Sequence, residues 1–197
     1  TDNYVNGAPA VDQKRVVFGG CDGMLRVLSS MGKETLRVNV DSHIAASPAV
    51  SDGIAYLGQY QGVAMAVDLA TGKILWKHGG GQESEPFLAP PALDDKRMYI
   101  GSRDKSMHCL DRKTGERIWT FRTRGQIEGA AVVGSGRLIF GSADGMLYVL
   151  DAKTGGKMFA FEIGAGISSS PAIANGCVLV TAEDGTLYAF TAVANDN

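Results

Sequence analysis

The chain has 197 residues and a formal net charge of −2, from 19 basic and 21 acidic side chains. Such a balance provides no global attraction to nucleic acid or to anionic lipid, so neither is an expected partner. Glycine is abundant, at 26 residues, and the apolar runs are far shorter than the roughly 18 residues of a membrane-spanning helix. The composition therefore favours short β-strands joined by tight turns, with no transmembrane segment.

An internal repeat of about forty residues runs along the whole chain. Its clearest phrase begins at Asp68, and it returns after 43 residues at Asp111 and after another 40 at Asp151. Each copy has an aspartate, then a Thr-Gly pair, then a bulky aromatic residue. These positions are Asp68, Gly72 and Trp76, then Asp111, Gly115 and Trp119, and finally Asp151, Gly155 and Phe159.

Each unit has the pattern of four short strands. A Pro-Ala-Val phrase opens the unit, a β-branched or aromatic stretch follows, and an Asp-Gly pair predicts a tight hairpin into the third strand. The fourth strand starts after Thr-Gly. The units span residues of about 3–41, 42–83, 84–125, 126–165 and 166–197, within one domain covering 1–197.

The Asp-x-x-Thr-Gly phrase has a mechanical interpretation. The aspartate can accept hydrogen bonds from the amides that follow it, and the glycine can adopt a left-handed conformation. The aromatic residue four positions later would pack against the neighbouring unit. Four-stranded antiparallel sheets that each need a neighbour predict an all-β fold, a β-propeller of about five blades.

The phrase from Ala66 to Trp76 resembles the tryptophan-docking motif of pyrroloquinoline quinone (PQQ) type propellers. This repeat is shared by quinoprotein alcohol dehydrogenases and by the propeller lipoprotein of the outer-membrane assembly machine. The third unit has Cys109 in place of the motif alanine, and the fourth has Val149 at that position. The first unit departs furthest, with Ser29 and Leu36 at the aspartate and aromatic positions, so its docking is expected to be weakest.

The fifth unit is expected to lack its outer strand. After Phe190 the residues 191–197 contain no Thr-Gly turn and no aromatic residue. PQQ-type propellers usually have seven or eight blades. Three alternatives follow from the resemblance: a fragment of a larger ring, an open arc closed by another copy, or a five-bladed ring.

The recurring carboxylates are interpreted as turn residues, because a catalytic site needs different groups that converge once. Asp22, Asp104, Asp144 and Asp184 recur at one position, just as the docking aspartates recur at another. The histidines at 43, 78 and 108 have no catalytic motif around them. The three cysteines, at 21, 109 and 177, have no metal-ligand spacing and are interpreted as packing thiols.

The loops that join one blade to the next and those between second and third strands, such as residues 103–105, do not repeat, and they are the candidate partner-binding region. Between Lys96 and Arg124 nine basic residues accompany three acidic ones, which predicts a local positive patch on the third blade. Arg and Tyr are enriched in interface hot spots. The predicted partner-binding residues are Arg103, Arg122, Arg124, Tyr60 and His43. The alternative is that these charges only solvate a blade edge.

The function that these observations favour is a non-catalytic propeller that binds a protein, peptide or saccharide on one face, as a scaffold, assembly factor or sensor domain. The alternative is part of a PQQ-dependent alcohol or sugar dehydrogenase. By resemblance, such an enzyme would hold PQQ and calcium; no cofactor and no metal site are expected here, since no acidic cage is evident. Self-association could complete the ring. The resemblance implies a bacterial periplasmic or other extracytoplasmic location.

Overall fold

A computed structural model of the chain describes residues 3–191. Within that range all regular secondary structure is β-strand, arranged as five antiparallel sheets in chain order. Four sheets have four strands and the fifth has three within residues 3–191, so the predicted all-β fold of repeated antiparallel blades is confirmed, and within that range the last blade has no outer strand. Residues 192–197, on which part of that prediction rested, lie outside the described range. No helix in residues 3–191 has the length and hydrophobicity needed to cross a membrane.

The strands of each blade follow one another in space as they do along the chain. Blade one contains β1 (Ala10–Asp12), β2 (Arg15–Gly19), β3 (Met24–Ser29) and β4 (Glu34–Asn39). Blade two contains β5 (Ala49–Ser51), β6 (Ile54–Gly58), β7 (Val63–Asp68) and β8 (Ile74–Gly79). Blade three contains β9 (Ala92–Leu93), β10 (Arg97–Gly101), β11 (Ser106–Asp111) and β12 (Arg117–Arg122).

The last two blades repeat this order. Blade four contains β13 (Val132–Gly134), β14 (Arg137–Gly141), β15 (Met146–Asp151) and β16 (Lys157–Glu162). Blade five contains β17 (Ala172–Ala174), β18 (Cys177–Thr181) and β19 (Leu187–Thr191). The first strands of neighbouring blades approach each other, in the pairs β1 with β5 and β9 with β13.

The hydrophobic core is divided among the blade interfaces. Four clusters of buried side chains lie between blades one and two, two and three, three and four, and four and five. Each interface also receives an apolar residue from the loop that joins the two blades, and this residue packs against a glycine at the end of the second strand. A Cβ atom at Gly19 would lie 2.2 Å from Ile44, and one at Gly141 would lie 2.1 Å from Ile167. Only glycine allows this approach.

The docking motif joins each blade to the next through its turn. Trp76 lies directly opposite Ala66, and the register shifts at the next pair, Val67 with Ile74, so that the fourth strand has one extra residue there. The Trp76 ring then lies over Gly115 of the next blade, where an added Cβ would be 2.5 Å from the ring. Trp119 takes the same position over Gly155, with a corresponding distance of 2.6 Å. Each tryptophan thus packs on the glycine of its neighbour's Thr-Gly turn.

The aspartates and glycines of these turns adopt the geometry that the sequence indicates. Asp68 Oδ1 accepts hydrogen bonds from the amides of Ala70 and Thr71, at 2.9 and 2.8 Å, and Asp111 and Asp151 make the equivalent bonds. The turn glycines have φ values between 73° and 75°. The amide of Thr71 lowers the pKa of the Asp68 carboxyl, and its hydroxyl adds to this effect. These carboxylates therefore stabilise turns.

Blades one and four differ from blades two and three at the docking position. Leu36 of blade one packs near Gly72: its Cδ1 atom lies 3.1 Å from the point that a Cβ on that glycine would occupy. Unlike tryptophan, leucine has no indole nitrogen to donate a hydrogen bond. Phe159 of blade four is 57% exposed. The weaker docking expected of the first blade stays a prediction.

Candidate interaction surface

Two kinds of connection share one side of the arc. The hairpin turns between second and third strands and the long loops between blades are hydrogen-bonded to each other at every interface. The amides of Ile44, Phe87, Ile127 and Ile167 donate to carbonyls of the preceding turns at 3.1–3.2 Å. We call this side the loop face; the turns from first to second and from third to fourth strand lie on the other side, the turn face.

Each repeated hairpin aspartate of the loop face stabilises the hairpin in which it lies, and we call these residues the hairpin fasteners. In four blades one carboxylate oxygen accepts an amide two residues ahead, and the other accepts a side chain from the third strand. The third-strand partner differs from blade to blade. The pairs are Asp22 with Arg26, Asp104 with His108, Asp144 with Tyr148, and Asp184 with Tyr188.

These contacts account for the ionisation of the fasteners. Burial raises the pKa of the Asp144 carboxyl, but hydrogen bonds from the Arg124 amide and the Tyr148 hydroxyl outweigh it, so the net pKa is lowered. Burial and the bond to Asp144 raise the pKa of Tyr148 to about 12. The pair is therefore an ionised carboxylate and a neutral phenol at neutral pH.

Blade two lacks this fastener. Gln61 stands at the aspartate position and Met65 at the partner position. The side chain of Tyr60, in the same turn, is 50% exposed, and its ring centroid lies 6.2 Å from that of the exposed His43. The structure thus brings together two of the predicted partner-binding residues, on the first loop and the second hairpin.

The basic residues of blade three do not form one continuous patch. Arg112 is 9% exposed on the turn face, where it donates to the Tyr56 hydroxyl at 3.0 Å and to Asp52 at 2.7 Å. Arg97 is paired there with Asp94. Both side chains join elements of the fold and are not available to a partner. The patch predicted from the sequence is smaller than the count of nine basic residues indicated.

Among the three predicted arginines, Arg103 differs from the other two. It is paired with Glu128 through a 2.7 Å contact, and each side chain is 35% exposed. Arg122 and Arg124 are exposed and form no ion pair with any residue in the described range of 3–191. The intervening Thr123 is buried; its amide donates to the carbonyl of Lys105 at 2.8 Å, and its hydroxyl lies within hydrogen-bond distance of the carbonyls of Lys105 and Gly125.

Lys105, in the same candidate loop as Arg103, is not among the predicted partner-binding residues. It occupies the hairpin position that is glycine in the other four blades, and its φ of 67° lies in the left-handed region. A lysine is strained there, whereas Gly145 at the equivalent position of blade four is not. The break in the glycine repeat was the signal that could have found it. Lys105, Arg122 and Arg124 together form the loop-face cationic group.

The two histidines near blade three, His78 and His108, are neighbours, with ring centroids 6.4 Å apart. His108 is buried and bonded to Asp104, while His78 is half-buried. Burial lowers the pKa of His78, and the adjacent His108 lowers it further. They line a pocket of about 240 Å³ between blades two and three on the loop face.

The side chains of residues 3–191 do not fit the calcium ion that the resemblance to dehydrogenases implies. Within residues 3–191 no three His, Cys, Asp or Glu side chains are placed to hold a metal ion. The repeated aspartates are committed to their own turns, as at Asp111 and Asp144. Calcium usually needs six or more oxygen ligands. The cysteines are free thiols, and Cys109 is fully buried.

Comparison with known proteins gives the family. The family model described as outer membrane protein assembly factor BamB matches residues 2–89, 61–158 and 104–195. The chain belongs to this family of PQQ-type propeller repeats. Its overlapping matches extend over nearly the whole chain, in agreement with the five consecutive blades.

Relatives of this family include both assembly factors and enzymes. BamB of Nitrosomonas eutropha is 28% identical over 116 residues, which cover 58% of this chain and 27% of that protein. A quinohemoprotein alcohol dehydrogenase of Pseudomonas putida is 26% identical over 123 residues, covering 51% of this chain and 17% of the enzyme. The matched segments thus span less than a third of the length of either relative.

Solved structures of the family superpose closely. The crystal structure of BamB from Moraxella catarrhalis has a TM-score of 0.83 at 25% identity, covering 96% of this chain and 62% of that protein. The quinohemoprotein alcohol dehydrogenase of Comamonas testosteroni has a TM-score of 0.81 at 13% identity and covers 96% of this chain and 41% of that protein. The second likeness concerns the fold alone.

Proposed function

We propose that this chain is a non-catalytic propeller segment whose loop face binds a protein partner, as a scaffold or assembly factor. The observation that carries the proposal is the match to the BamB family over nearly the whole chain, together with the use of the recurring carboxylates as turn fasteners. A rigid surface of hydrogen-bonded loops suits recognition of a partner without reorganisation.

The loop-face cationic group is the proposed contact point. Arg122 and Arg124 extend from a segment that Thr123 fixes to the neighbouring hairpin, so their backbones are held in place. Lys105 occupies a strained backbone position that a glycine would occupy freely. Strain retained at an exposed position is a reason to infer function there. Three fixed cations would select an acidic segment of the partner protein.

Exposed lysines on the turn face provide a matched control. The first variant changes Lys105, Arg122 and Arg124 to alanine, and the second changes Lys14, Lys113 and Lys153 on the turn face. Both remove three exposed positive charges. Binding of the parent protein to a purified outer-membrane protein assembly complex is measured by surface plasmon resonance. The proposal is supported if the affinity falls about tenfold or more in the first variant and is unchanged in the second. Equal loss, or none, contradicts it.

The cellular setting is proposed from the same relatives. An outer-membrane assembly factor acts outside the cytoplasm, so we propose that the full-length protein is periplasmic or otherwise extracytoplasmic. Fractionation of the native host with an antibody to this chain tests this proposal. Recovery in the cytoplasmic fraction alone would contradict it.

Similarity to alcohol dehydrogenases supports a second candidate function, in which this chain is part of a PQQ-dependent enzyme. Dye-linked alcohol oxidation by the full-length protein, after addition of PQQ and calcium, distinguishes the two candidates. Activity that depends on both additions would replace the binding proposal. Peptide, saccharide and self-association partners are separated by the same binding assay and by measurement of the mass in solution.

A further inference from the structure

A small pocket opens on the loop face between blades two and three. Its volume is about 240 Å³, and its lining includes His78, Glu83, Glu85, Phe87, Asp104 and His108. Sites for drug-sized ligands usually measure roughly 300–1,000 Å³, so this pocket suits a single side chain or a comparably small group.

The lining is acidic. Glu83 and Glu85 are exposed and make no ion pair with any residue in the range 3–191, and no lysine or arginine lines the pocket. Asp104 adds a third carboxylate. Its pKa is raised by burial, but the hydrogen bond from His108 and the nearby amide of Ser106 lower it to a net value below the usual range.

His108 provides an independent indication of a ligand. Its side chain is nine-tenths buried, and Nε2 lies 2.8 Å from Asp104 Oδ2. An ionised carboxylate only accepts, so the contact places a hydrogen on Nε2, and in the neutral ring Nδ1 is then an acceptor. Nδ1 is buried and has no hydrogen-bond partner within the described part of the chain. A buried polar atom without a partner is unfavourable, so His108 lines the pocket with its hydrogen bonding incomplete.

His78 does not add a positive charge to the pocket near pH 7, because burial lowers its pKa. Phe87 packs edge-on against His108, with ring centroids 5.2 Å apart, and contributes an aromatic wall. A cation beside such a wall is attracted by the ring quadrupole.

We propose that this pocket binds a cationic N–H donor, the ammonium or guanidinium group of a lysine or arginine side chain on the protein partner. For the source of that side chain the inference rests on the proposed function. The cation would pair with Glu83 and Glu85 and lie beside the rings of Phe87 and His108. A metal ion is a poorer occupant, since no three ligating side chains are suitably placed within residues 3–191.

The partner would then carry a basic residue for the pocket and an acidic segment for the loop-face cationic group. Asp104 of the pocket and Lys105 of that group are adjacent in one hairpin. Opposite charges at neighbouring positions fix the register of a partner more strongly than a single patch does.

The test uses small probes and the chain labelled with ¹⁵N in histidine. Agmatine and n-butylamine are titrated, with n-butanol as the neutral comparator. We expect the Nδ1 resonance of His108 to move with the two cations only. Glu83→Gln with Glu85→Gln should weaken agmatine binding about tenfold, because two charge pairs are lost. The control pair Glu116→Gln with Glu162→Gln removes the same charge from exposed strand and turn positions.

Several results would overturn the inference: no movement of Nδ1, equal movement with n-butanol, or equal weakening in both double variants. A peptide with one central arginine and free putrescine separate the possible sources of the cation. Tighter binding of the peptide supports a protein side chain, and tighter binding of putrescine contradicts it. The loop-face cationic group is intact in the glutamine variants. If the pocket does not bind cations, the proposed partner binding can therefore still be tested on its own with the alanine variants.

Discussion

The indole nitrogen of Trp76 donates a hydrogen bond to the backbone carbonyl of Arg112, 3.1 Å away, across the interface between blades two and three. Trp119 makes the equivalent bond to Ala152 at 3.3 Å. In both cases the acceptor lies in the Asp-x-x-Thr-Gly turn on whose glycine the ring packs. One turn therefore fixes both the register of its own hairpin and the position of the neighbouring blade.

Truncation of the docking tryptophan should be strongly destabilising. Trp76 is 8% exposed, so Trp76→Ala leaves a cavity and an unpaired carbonyl, and we expect a loss of about 3–5 kcal/mol in the free energy of unfolding. Phe159→Ala is the matched control at the same repeat position, and its 57% exposure predicts a loss below about 1 kcal/mol. Urea unfolding followed by circular dichroism measures both; similar losses would contradict the docking role of Trp76.

The glycine beneath the ring gives a second prediction. At Gly115, φ is 75° and a new Cβ would meet the Trp76 ring at 2.5 Å, so Gly115→Ala adds overpacking to backbone strain. We expect a loss of about 2–4 kcal/mol. At Gly32, φ is 76° but nothing lies within 4 Å, and Gly32→Ala should cost about 1 kcal/mol from strain alone. The difference between the two urea midpoints measures the contact, and equal midpoints would refute it.

The architecture was readable from the sequence because it is repeated. Asp111, Gly115 and Trp119 recur with one spacing, and each has a local reason to be where it is. Side-chain contacts that occur only once could not be predicted in this way. Whether Arg112 is buried against Tyr56 or Arg103 is paired with Glu128 depends on which side chains a neighbouring blade supplies. Such contacts join residues far apart along the chain and leave no periodic signal.

The candidate surface shows the same division. The loops that carry it were predicted as non-repeating segments, and Tyr60 and His43 proved to be neighbours. Lys105 lay in a candidate loop but was not among the predicted binding residues, although it interrupts a run of hairpin glycines. The pocket at His108 was not predicted either, since it depends on the approach of the loop after β8 to the hairpin of blade three, and that approach is a property of the assembled interface.

The hairpin fasteners predict an acid-sensitive fold. The folded-state pKa of Asp144 is lowered, so its carboxylate stabilises the fold above the unfolded-state pKa of about 4, and that contribution is lost as pH falls through the folded-state value. Asp144→Asn should therefore cost about 1 kcal/mol at pH 7, a difference that disappears under acidic conditions.

Urea midpoints measured from pH 7 downward test this sign. Glu162→Gln, an exposed carboxylate on the outer strand of the same blade, is the control and should stay within about 0.5 kcal/mol of the parent at each pH. A difference for Asp144→Asn that grew toward acid would show that the carboxylate is not held ionised by Arg124 and Tyr148.

The buried thiol of blade three should be chemically inert in the folded protein. Cys109 is fully buried opposite Trp119, and burial raises its pKa to about 12, so the reactive thiolate is scarce at pH 8. Cys21 and Cys177 are only partly buried. Iodoacetamide should label these two at least about a hundredfold faster than Cys109, with the sites assigned by mass spectrometry.

In urea all three should react alike, because unfolding removes the burial that separates them. Rapid native labelling of Cys109 would mean that blades three and four separate readily, and it would contradict the packing of Trp119 on the Gly155 turn.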